Sequence, residues 1–256
     1  MDRLAPAQRP DDRPAGFQRW RTLAFLHWEV PVEAVAARIP EGLHVDTFEG
    51  RAYVGVVPFT MRDVSPWWSP SVPGVSNFHE LNVRTYVHAG GRPGVWFFSL
   101  EAASSIAVIA ARTGWHLPYH RASMELDEHD GEVRYQSRRL WPGPKPAELE
   151  LRYRIGESIG AAEEGTFEHF LVERYLLFAG SHLPPASGRP EGGSGLMRGQ
   201  VHHRPYPLHR AEVIEVRESV VAAAGLPATS GPPHVLWSPG VDVDVFALRP
   251  VEAEGP

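Results

Sequence analysis

One short segment of the chain carries residue types that together suit acid–base chemistry on an anionic compound. Residues 78–87 alternate polar with apolar side chains, and a strand turns every second side chain to the same face. That face holds Glu80, Asn82, Arg84 and Tyr86. A glutamate can donate or accept a proton, and an arginine binds a carboxylate or phosphate through two parallel hydrogen bonds. The spacing therefore predicts a row of catalytic and anion-binding groups on one strand face.

Glu80 and Arg84 stand too far apart to form an ion pair with each other. Four residues of strand span about 13 Å, since each residue adds about 3.3 Å. A buried charge without a partner is unstable, so each side chain needs a partner from elsewhere if the row is buried. Residues 94–101 follow a Gly/Pro-rich loop and are predicted to form the second strand of a hairpin with residues 78–87.

The register of this hairpin decides which side chains meet Arg84. One register places Phe97, Ser99 and Glu101 on the face of Arg84, and a slip by one residue replaces them with Trp96, Phe98 and Leu100. We favour the first register because it gives the guanidinium a carboxylate within reach. The polar row then has three interpretations, of which we favour the first: the lining of a pocket, a structural ion-pair network, or a solvent-exposed face.

Two further segments carry polar side chains that suit a functional site. Glu173-Arg174-Tyr175 lies within residues 166–179, whose apolar spacing is that of a helix. Glu173 and Tyr175 cannot share a helical face, which favours a structural role for this motif. His203 begins a Pro-rich turn that could bring His203 or Tyr206 to the mouth of a cavity. The thirteen histidines show no spacing typical of a zinc site, so no metal is predicted.

Short β-rich segments dominate the chain, with few helical segments between them. About ten strands and four helices are predicted, without internal repeats or strand–helix alternation. This order indicates a mainly β (α+β) fold with an antiparallel sheet that closes or folds on itself. Residues 1–15 are rich in Asp, Arg and Pro and predict a disordered tail, whereas residues 16–250 are predicted to form a single domain. Trp67 and Trp68, in a Pro-rich loop, suggest a cover over a binding site.

Composition excludes several classes of protein and of chemistry. A net charge of −6 lacks the basic excess that a nucleic-acid-binding or anionic-membrane-binding surface needs. The absence of cysteine excludes disulfides, thiol catalysis and cysteine metal sites. The first residues do not resemble a secretory signal and no apolar stretch is long enough for a transmembrane helix, so we expect a cytoplasmic protein. Any mechanism that needs a lysine amine depends on Lys145, the single lysine.

A set of motifs spread from Trp20 to Leu248 resembles the bacterial YqjF-like family of uncharacterised proteins. The motifs lie at residues 46–50, 54–59, 80–87, 94–102, 118–119 and 173–175. This family is similar in fold to acetoacetate decarboxylase, which implies a closed, cone-like antiparallel β-barrel with a few short helices and a polar central cavity. The decarboxylase uses a lysine Schiff base. Lys145 lies between two prolines and matches no motif of the family, so the resemblance does not extend to that chemistry.

Two alternative functions follow, from different classes. The first is a lyase- or hydratase-like enzyme that acts on a small carboxylate or carbonyl compound without a Schiff-base lysine and without a cofactor. Its predicted catalytic residues are Glu80 and Glu101, and its predicted ligand-binding residues are Asn82, Arg84, Tyr86, Ser99, Tyr119 and His203. The second is a non-catalytic barrel that binds a small-molecule ligand. A homo-oligomer fits either alternative. An enzyme predicts a carboxylate with a strongly raised pKa beside the cavity, whereas binding alone predicts acids locked in ion pairs.

Overall fold

The segments of alternating polarity fold as strands of one sheet in the computed structural model, which describes residues 1–72, 74–114, 117–180 and 195–251. The strands within these residues are β1 (Gly16–Val30), β2 (His44–Val45), β3 (Ala52–Pro66), β4 (Phe78–Ala89), β5 (Arg92–Ala102), β6 (Tyr119–His129), β7 (Glu132–Trp141), β8 (Glu148–Gly160), β9 (Leu176–Gly180), β10 (Leu196–His202), β11 (Leu208–Glu218), β12 (His234–Val245) and β13 (Arg249–Pro250). The α-helices are α1 (Val32–Ala36), α2 (Ser105–Gly114), α3 (Phe167–Val172) and α4 (Val220–Ala223). None of these described helices is long and apolar enough to cross a membrane.

The strand pairings close the sheet into two hydrogen-bonded rings that share one wall. The shared wall consists of β12, β1, β3, β4 and β5, paired in that order. One ring is completed by β6, β7, β8 and β11, and the smaller ring by β9 and β10. Among the described strands, the pairings are antiparallel apart from the parallel pairs β5–β6 and β5–β9. The closed, mainly antiparallel β-barrel predicted from the sequence is thereby confirmed.

Each ring has an apolar core of its own, because successive side chains of the shared wall point to opposite faces. Leu26 and Trp28 of β1 belong to one buried cluster together with Tyr135 of β7. Phe25, which directly precedes Leu26 and points to the opposite face, belongs to a second cluster with Val201 of β10. Successive residues of β1, β3 or β4 therefore face the two cores in turn, and a bulge shifts this alternation by one residue.

The helix predicted over residues 166–179 is wrong beyond Val172. Thr166 caps α3 by accepting a hydrogen bond from the His169 backbone N–H at 3.3 Å, and the helix ends one turn later. The chain then enters β9, which pairs with β10 on one side and β5 on the other. A strand paired on both sides and covered on both faces is apolar throughout. The apolar residues of β9 continue the helical spacing of apolar residues in α3, so the sequence pattern does not show where the helix ends and the strand begins.

The first fifteen residues contact the rest of the molecule at several points. Arg3 donates two hydrogen bonds to the Asp46 carboxylate, and the Arg13 guanidinium lies 3.4 Å from the centroid of the Trp67 ring. Neither Trp67 nor Trp68 is among the residues that line the cavity described below, so a covering role for their loop stays a prediction. The division of the chain into a tail at residues 1–15 and one domain at residues 16–250 stays a prediction.

Candidate active site

The smaller ring encloses a cavity of about 360 Å³ whose wall is mainly apolar. Phe25, Phe59 and Phe97 line it, and Ala107 and Ala111 of α2 form part of the wall. The charged, amide and hydroxyl side chains in the wall are Gln18, Glu80, Asn82, Arg84, Tyr119, Arg174 and Tyr206. Four of the eight predicted site residues are among them: Glu80, Asn82, Arg84 and Tyr119. The polar cavity implied by the family resemblance is thus an apolar cavity with a polar row on β4.

Glu80 is fully buried in this wall, and its carboxyl group accepts a hydrogen bond from Tyr119. The Tyr119 hydroxyl donates to Oε2 at 2.9 Å, and the Tyr135 hydroxyl donates to the Glu80 backbone carbonyl at 2.9 Å. Burial raises the pKa of the Glu80 carboxyl to about 8, against the opposing effect of the Tyr119 hydrogen bond. The group is therefore mainly protonated at pH 7, and it is a proton donor rather than a base.

Arg84 is buried in the same wall, and no carboxylate of the described residues lies within ion-pair distance of it. Its Nη2 donates to the Leu171 backbone carbonyl at 3.0 Å, and its Nε has no hydrogen-bond partner in the described part of the chain. Among the described residues, the two ion pairs with both side chains buried are those of Arg139 and Arg174. Asn82, between Glu80 and Arg84 on the strand, has a buried Oδ1 that lacks a partner as well. The row thus offers unsatisfied hydrogen-bonding groups to the cavity.

The predicted pairing of Arg84 with Glu101 is wrong, because the β4–β5 hairpin contains a bulge. Arg84 lies opposite Phe97, as in the favoured register, but Val83 lies opposite Ser99, so Phe98 is an extra residue in β5. Beyond the bulge, Ser99 and Glu101 turn to the other face of the shared wall, away from the cavity. There Arg139 donates to Glu101 from two nitrogens, with Nε at 3.0 Å from Oε1.

Tyr86 lies behind the cavity wall, where it forms a buried polar cluster that the sequence did not reveal. Its hydroxyl donates to the Leu171 carbonyl at 2.7 Å and lies 2.6 Å from Nε2 of His27. His27 and Arg84 are the register partners of Gly55 on its two sides. A Cβ atom on Gly55 would lie 3.0 Å from Nε2 of His27 and 3.4 Å from Cγ of Arg84. A glycine at this position therefore lets both side chains pack over one backbone position.

Arg174 contributes a second guanidinium to the cavity wall. Its Nη1 donates to Oδ2 of Asp46 at 2.8 Å, and Arg3 binds the same carboxylate at 2.7 and 3.0 Å. Asp46 therefore binds two arginines, Arg3 and Arg174, whereas Arg84 in the same wall has no carboxylate partner among the described residues. Glu173 and Tyr175, which a helix would separate, are in contact because α3 has already ended: the Tyr175 hydroxyl donates to Oε2 of Glu173 at 2.6 Å.

His203 lies outside the cavity wall and packs against a residue that lines it. Its ring stacks on Tyr175 at 4.5 Å and lies 4.6 Å from the ring of Tyr206, whose side chain does line the cavity. Burial lowers the pKa of His203 to about 4, so the imidazole is neutral at pH 7. Lys145, the single lysine of the chain, is exposed on the loop between β7 and β8. Lysine Schiff-base chemistry in this cavity is therefore excluded.

Sequence reasoning missed Arg139 although the pattern of β7 contains the signal. Val133, Tyr135, Ser137 and Arg139 alternate along one face, and all four are buried. When an arginine follows uncharged residues on the buried face of a strand, its guanidinium is buried too and needs a carboxylate partner inside the fold. Arg174 was recognised only as a structural residue, since its place in the cavity wall depends on the end of α3. Within the described part of the chain, no group of three or more histidine, aspartate or glutamate side chains is placed to hold a metal ion.

Sequence comparison identifies relatives over almost the whole chain. Residues 17–242 match the DUF2071 family, described as an uncharacterized conserved protein. The chain is 32% identical over 232 residues to the uncharacterized protein YqjF of Bacillus subtilis strain 168, which covers 91% of this chain and 90% of that protein. These relatives agree with the family resemblance found in the motifs.

Structural comparison identifies enzymes that are similar in fold. Acetoacetate decarboxylase from Legionella pneumophila superposes with a TM-score of 0.64 and 14% identity, over 98% of this chain and 96% of that chain. The enduracididine biosynthesis enzyme MppR in complex with pyruvate superposes with a TM-score of 0.61 and 12% identity, over 95% and 93% of the two chains. At such identities the likeness concerns the fold and leaves function to the site. The fold is that of acetoacetate decarboxylase, and the chain belongs to the DUF2071 family of YqjF-like proteins.

Proposed function

We propose that the chain is an enzyme of lyase or hydratase type that acts on a small organic acid with a carbonyl group, bound in the 360 Å³ cavity. Arg84 binds the carboxylate of this acid, and Glu80 donates a proton or a hydrogen bond to its carbonyl oxygen. The observation that carries the proposal is the combination of a buried arginine without a counter-charge and a protonated glutamic acid in one cavity wall.

The unpaired arginine supports a site for an anion. A buried guanidinium that lacks a carboxylate is costly, and neighbouring Asp46 already has two arginine partners. An anionic ligand supplies the missing charge and can accept from Arg84 in a bidentate manner. The apolar wall keeps water away from this contact, which strengthens the attraction.

The protonated glutamic acid supports acid catalysis. A carboxyl group with a pKa near 8 holds its proton at pH 7 and releases it to an oxygen that gains electron density in the transition state. Tyr119 donates to Oε2, which leaves Oε1 as the favoured place for the transferable proton. Tyr119 therefore orients Glu80, and its hydroxyl can stabilise the carboxylate left after proton transfer.

The similar structures add support for the substrate class. MppR was solved in complex with pyruvate and in complex with the condensation product of pyruvate and imidazole 4-carboxaldehyde. Pyruvate is a small carboxylic acid with a carbonyl group, and it is bound there by a protein of similar fold. The single lysine of this chain, Lys145, lies outside the cavity, so the proposed acid is bound here without a Schiff base. A cytoplasmic location and a homo-oligomeric assembly, inferred from the sequence, stay predictions.

A non-catalytic binding barrel is the second candidate. The predominance of apolar side chains in the wall favours it, since ligand-binding cavities commonly combine such a wall with few polar groups. The ion-paired state of Asp46 and Glu101 is also what a binding protein requires. Glu80 is the residue that distinguishes the alternatives, because simple binding has no need of an acid with a raised pKa.

We expect that a thermal-shift screen of monocarboxylic acids of two to ten carbons, with and without a carbonyl group, finds acids that stabilise the wild-type protein. Arg84→Gln should abolish the increase in melting temperature because it removes the cation and keeps a polar side chain of similar length. Arg217→Gln, which removes an exposed arginine on β11, is the matched control and should retain the increase. An equal increase in Arg84→Gln and wild type would contradict the proposed anion site.

A further inference from the structure

We propose that the acid bound in this cavity is an elongated one, with its carboxylate and its hydrogen-bond acceptor at opposite ends of an apolar body. This inference rests on the function proposed above and narrows its substrate class. A para-substituted aromatic acid, or a chain acid of the same length, matches the geometry. A compact oxo acid such as pyruvate does not.

The distance between the two polar groups sets the length. Glu80 and Arg84 are separated by four residues of one continuous strand, and the bulge lies in the partner strand β5. A rise of about 3.3 Å per residue places their Cα atoms about 13 Å apart. Both side chains face the same cavity. Side chains on one face of a strand stand roughly perpendicular to the sheet, so the donor groups of Glu80 and Arg84 keep about the spacing of their Cα atoms. A hydrogen bond of about 2.9 Å at each end then leaves about 7 Å between the carboxylate oxygen and the acceptor oxygen of a bridging ligand.

The surface between the two groups sets the character of the ligand body. Phe25, Phe59, Phe97 and Leu100 line the cavity, and Asn82 is the one polar residue between Glu80 and Arg84 on β4. An oxo acid of three carbons carries its carbonyl next to its carboxylate, so it cannot reach Glu80 from Arg84. It would also leave the apolar wall in contact with empty space, which forfeits dispersion energy. A benzene ring fills this space and packs against the phenylalanines.

The test compares two isomers that share composition and charge. We expect 4-acetylbenzoate to bind the wild-type protein at least about tenfold more tightly than 2-acetylbenzoate, because only the para isomer can also accept from Glu80. Pyruvate should bind more weakly than either. Dissociation constants of the three acids, measured by isothermal titration calorimetry, give the affinity ratio of the two isomers and that of pyruvate to each isomer. In Glu80→Leu the preference for the para isomer should disappear, whereas Glu80→Gln, which keeps a donor, should retain it.

The outcomes separate this inference from the function on which it rests. If both isomers bind equally and Arg84→Gln weakens both, the anion site stands and the elongated substrate is overturned. If pyruvate binds as tightly as 4-acetylbenzoate, the inference is overturned in the same way. If Arg84→Gln binds 4-acetylbenzoate like wild type, or none of the three acids binds wild type, the proposed function is overturned as well. A para preference that persists in Glu80→Leu would contradict the assignment of the acceptor end.

Discussion

Arg139→Met is expected to lower the free energy of unfolding by about 3–5 kcal/mol, because it leaves Glu101 buried without a counter-charge. Both side chains are almost completely buried, and Arg139 donates to the carboxylate from two nitrogens. Urea denaturation at pH 7 measures the loss. Arg138→Met is the matched control, since the neighbouring arginine is exposed, and it should change stability by less than about 0.5 kcal/mol.

Two companion measurements identify the cause of this loss. The double variant Glu101→Leu/Arg139→Met should recover most of the stability, because it removes the stranded charge together with its partner. Burial already raises the pKa of Glu101, and the loss of Arg139 raises it further. The folded single variant then binds a proton that the unfolded chain lacks, so its deficit should shrink as the pH falls toward 5. A loss no larger than that of Arg138→Met would show that the ion pair is not formed.

Glu80→Gln should change the pH dependence of stability more than any substitution of an exposed acid. The folded-state pKa of Glu80, about 8, lies above the ordinary value of 4.5. The folded chain therefore holds one proton more than the unfolded chain between these values, and stability falls as the pH rises through this range. Glutamine cannot lose a proton. We expect the variant to gain about 1.4 kcal/mol relative to wild type for each pH unit between 5.5 and 7.5.

Unfolding free energies of both proteins at several pH values test this slope. Glu125→Gln, at an exposed position on β6, controls for the general effect of one lost carboxylate. A difference between Glu80→Gln and wild type that stays constant from pH 5.5 to 7.5 would show that the Glu80 carboxyl is ionised at neutral pH. Proton donation by Glu80 would then be untenable.

The same substitution tests catalysis once a substrate is found. Loss of a positioned general acid should lower kcat at least about 100-fold, while binding through Arg84 is retained. The wild-type rate should decline as the pH rises through about 8, because the acid then loses its proton. An unchanged kcat in Glu80→Gln would favour another proton donor, and the Tyr119 hydroxyl is the nearest candidate in the wall.

The strands were predictable because their signals are local. The alternation in residues 78–87 and the apolar run in residues 94–101 define β4 and β5 without knowledge of the rest of the chain. The same alternation placed Glu80, Asn82 and Arg84 on one face, and all three line the cavity. Family motifs then supplied the closure of the sheet, which no local pattern encodes.

The partners of these residues were not predictable because they depend on contacts between distant segments. A single extra residue, Phe98, moves Glu101 from the cavity to the opposite core, and nothing in the sequence of β5 marks the bulge. The end of α3 is similarly hidden, since β9 continues its apolar run. Arg84 donates to the Leu171 backbone carbonyl, and a backbone partner of this kind cannot be recognised from residue types in the sequence.

Asp46 links the beginning of the chain to the cavity, and this affects how the protein should be handled. Arg3 and Arg174 share one carboxylate, and Arg174 lines the cavity. An affinity tag fused beside Met1, or a vector-derived extension that displaces Arg3, would leave Arg174 as the one arginine bound to Asp46. The Asp46 carboxylate would then neutralise Arg174 more fully, which weakens the positive potential of the cavity. Ligand screens are therefore best performed on material tagged at the carboxyl terminus.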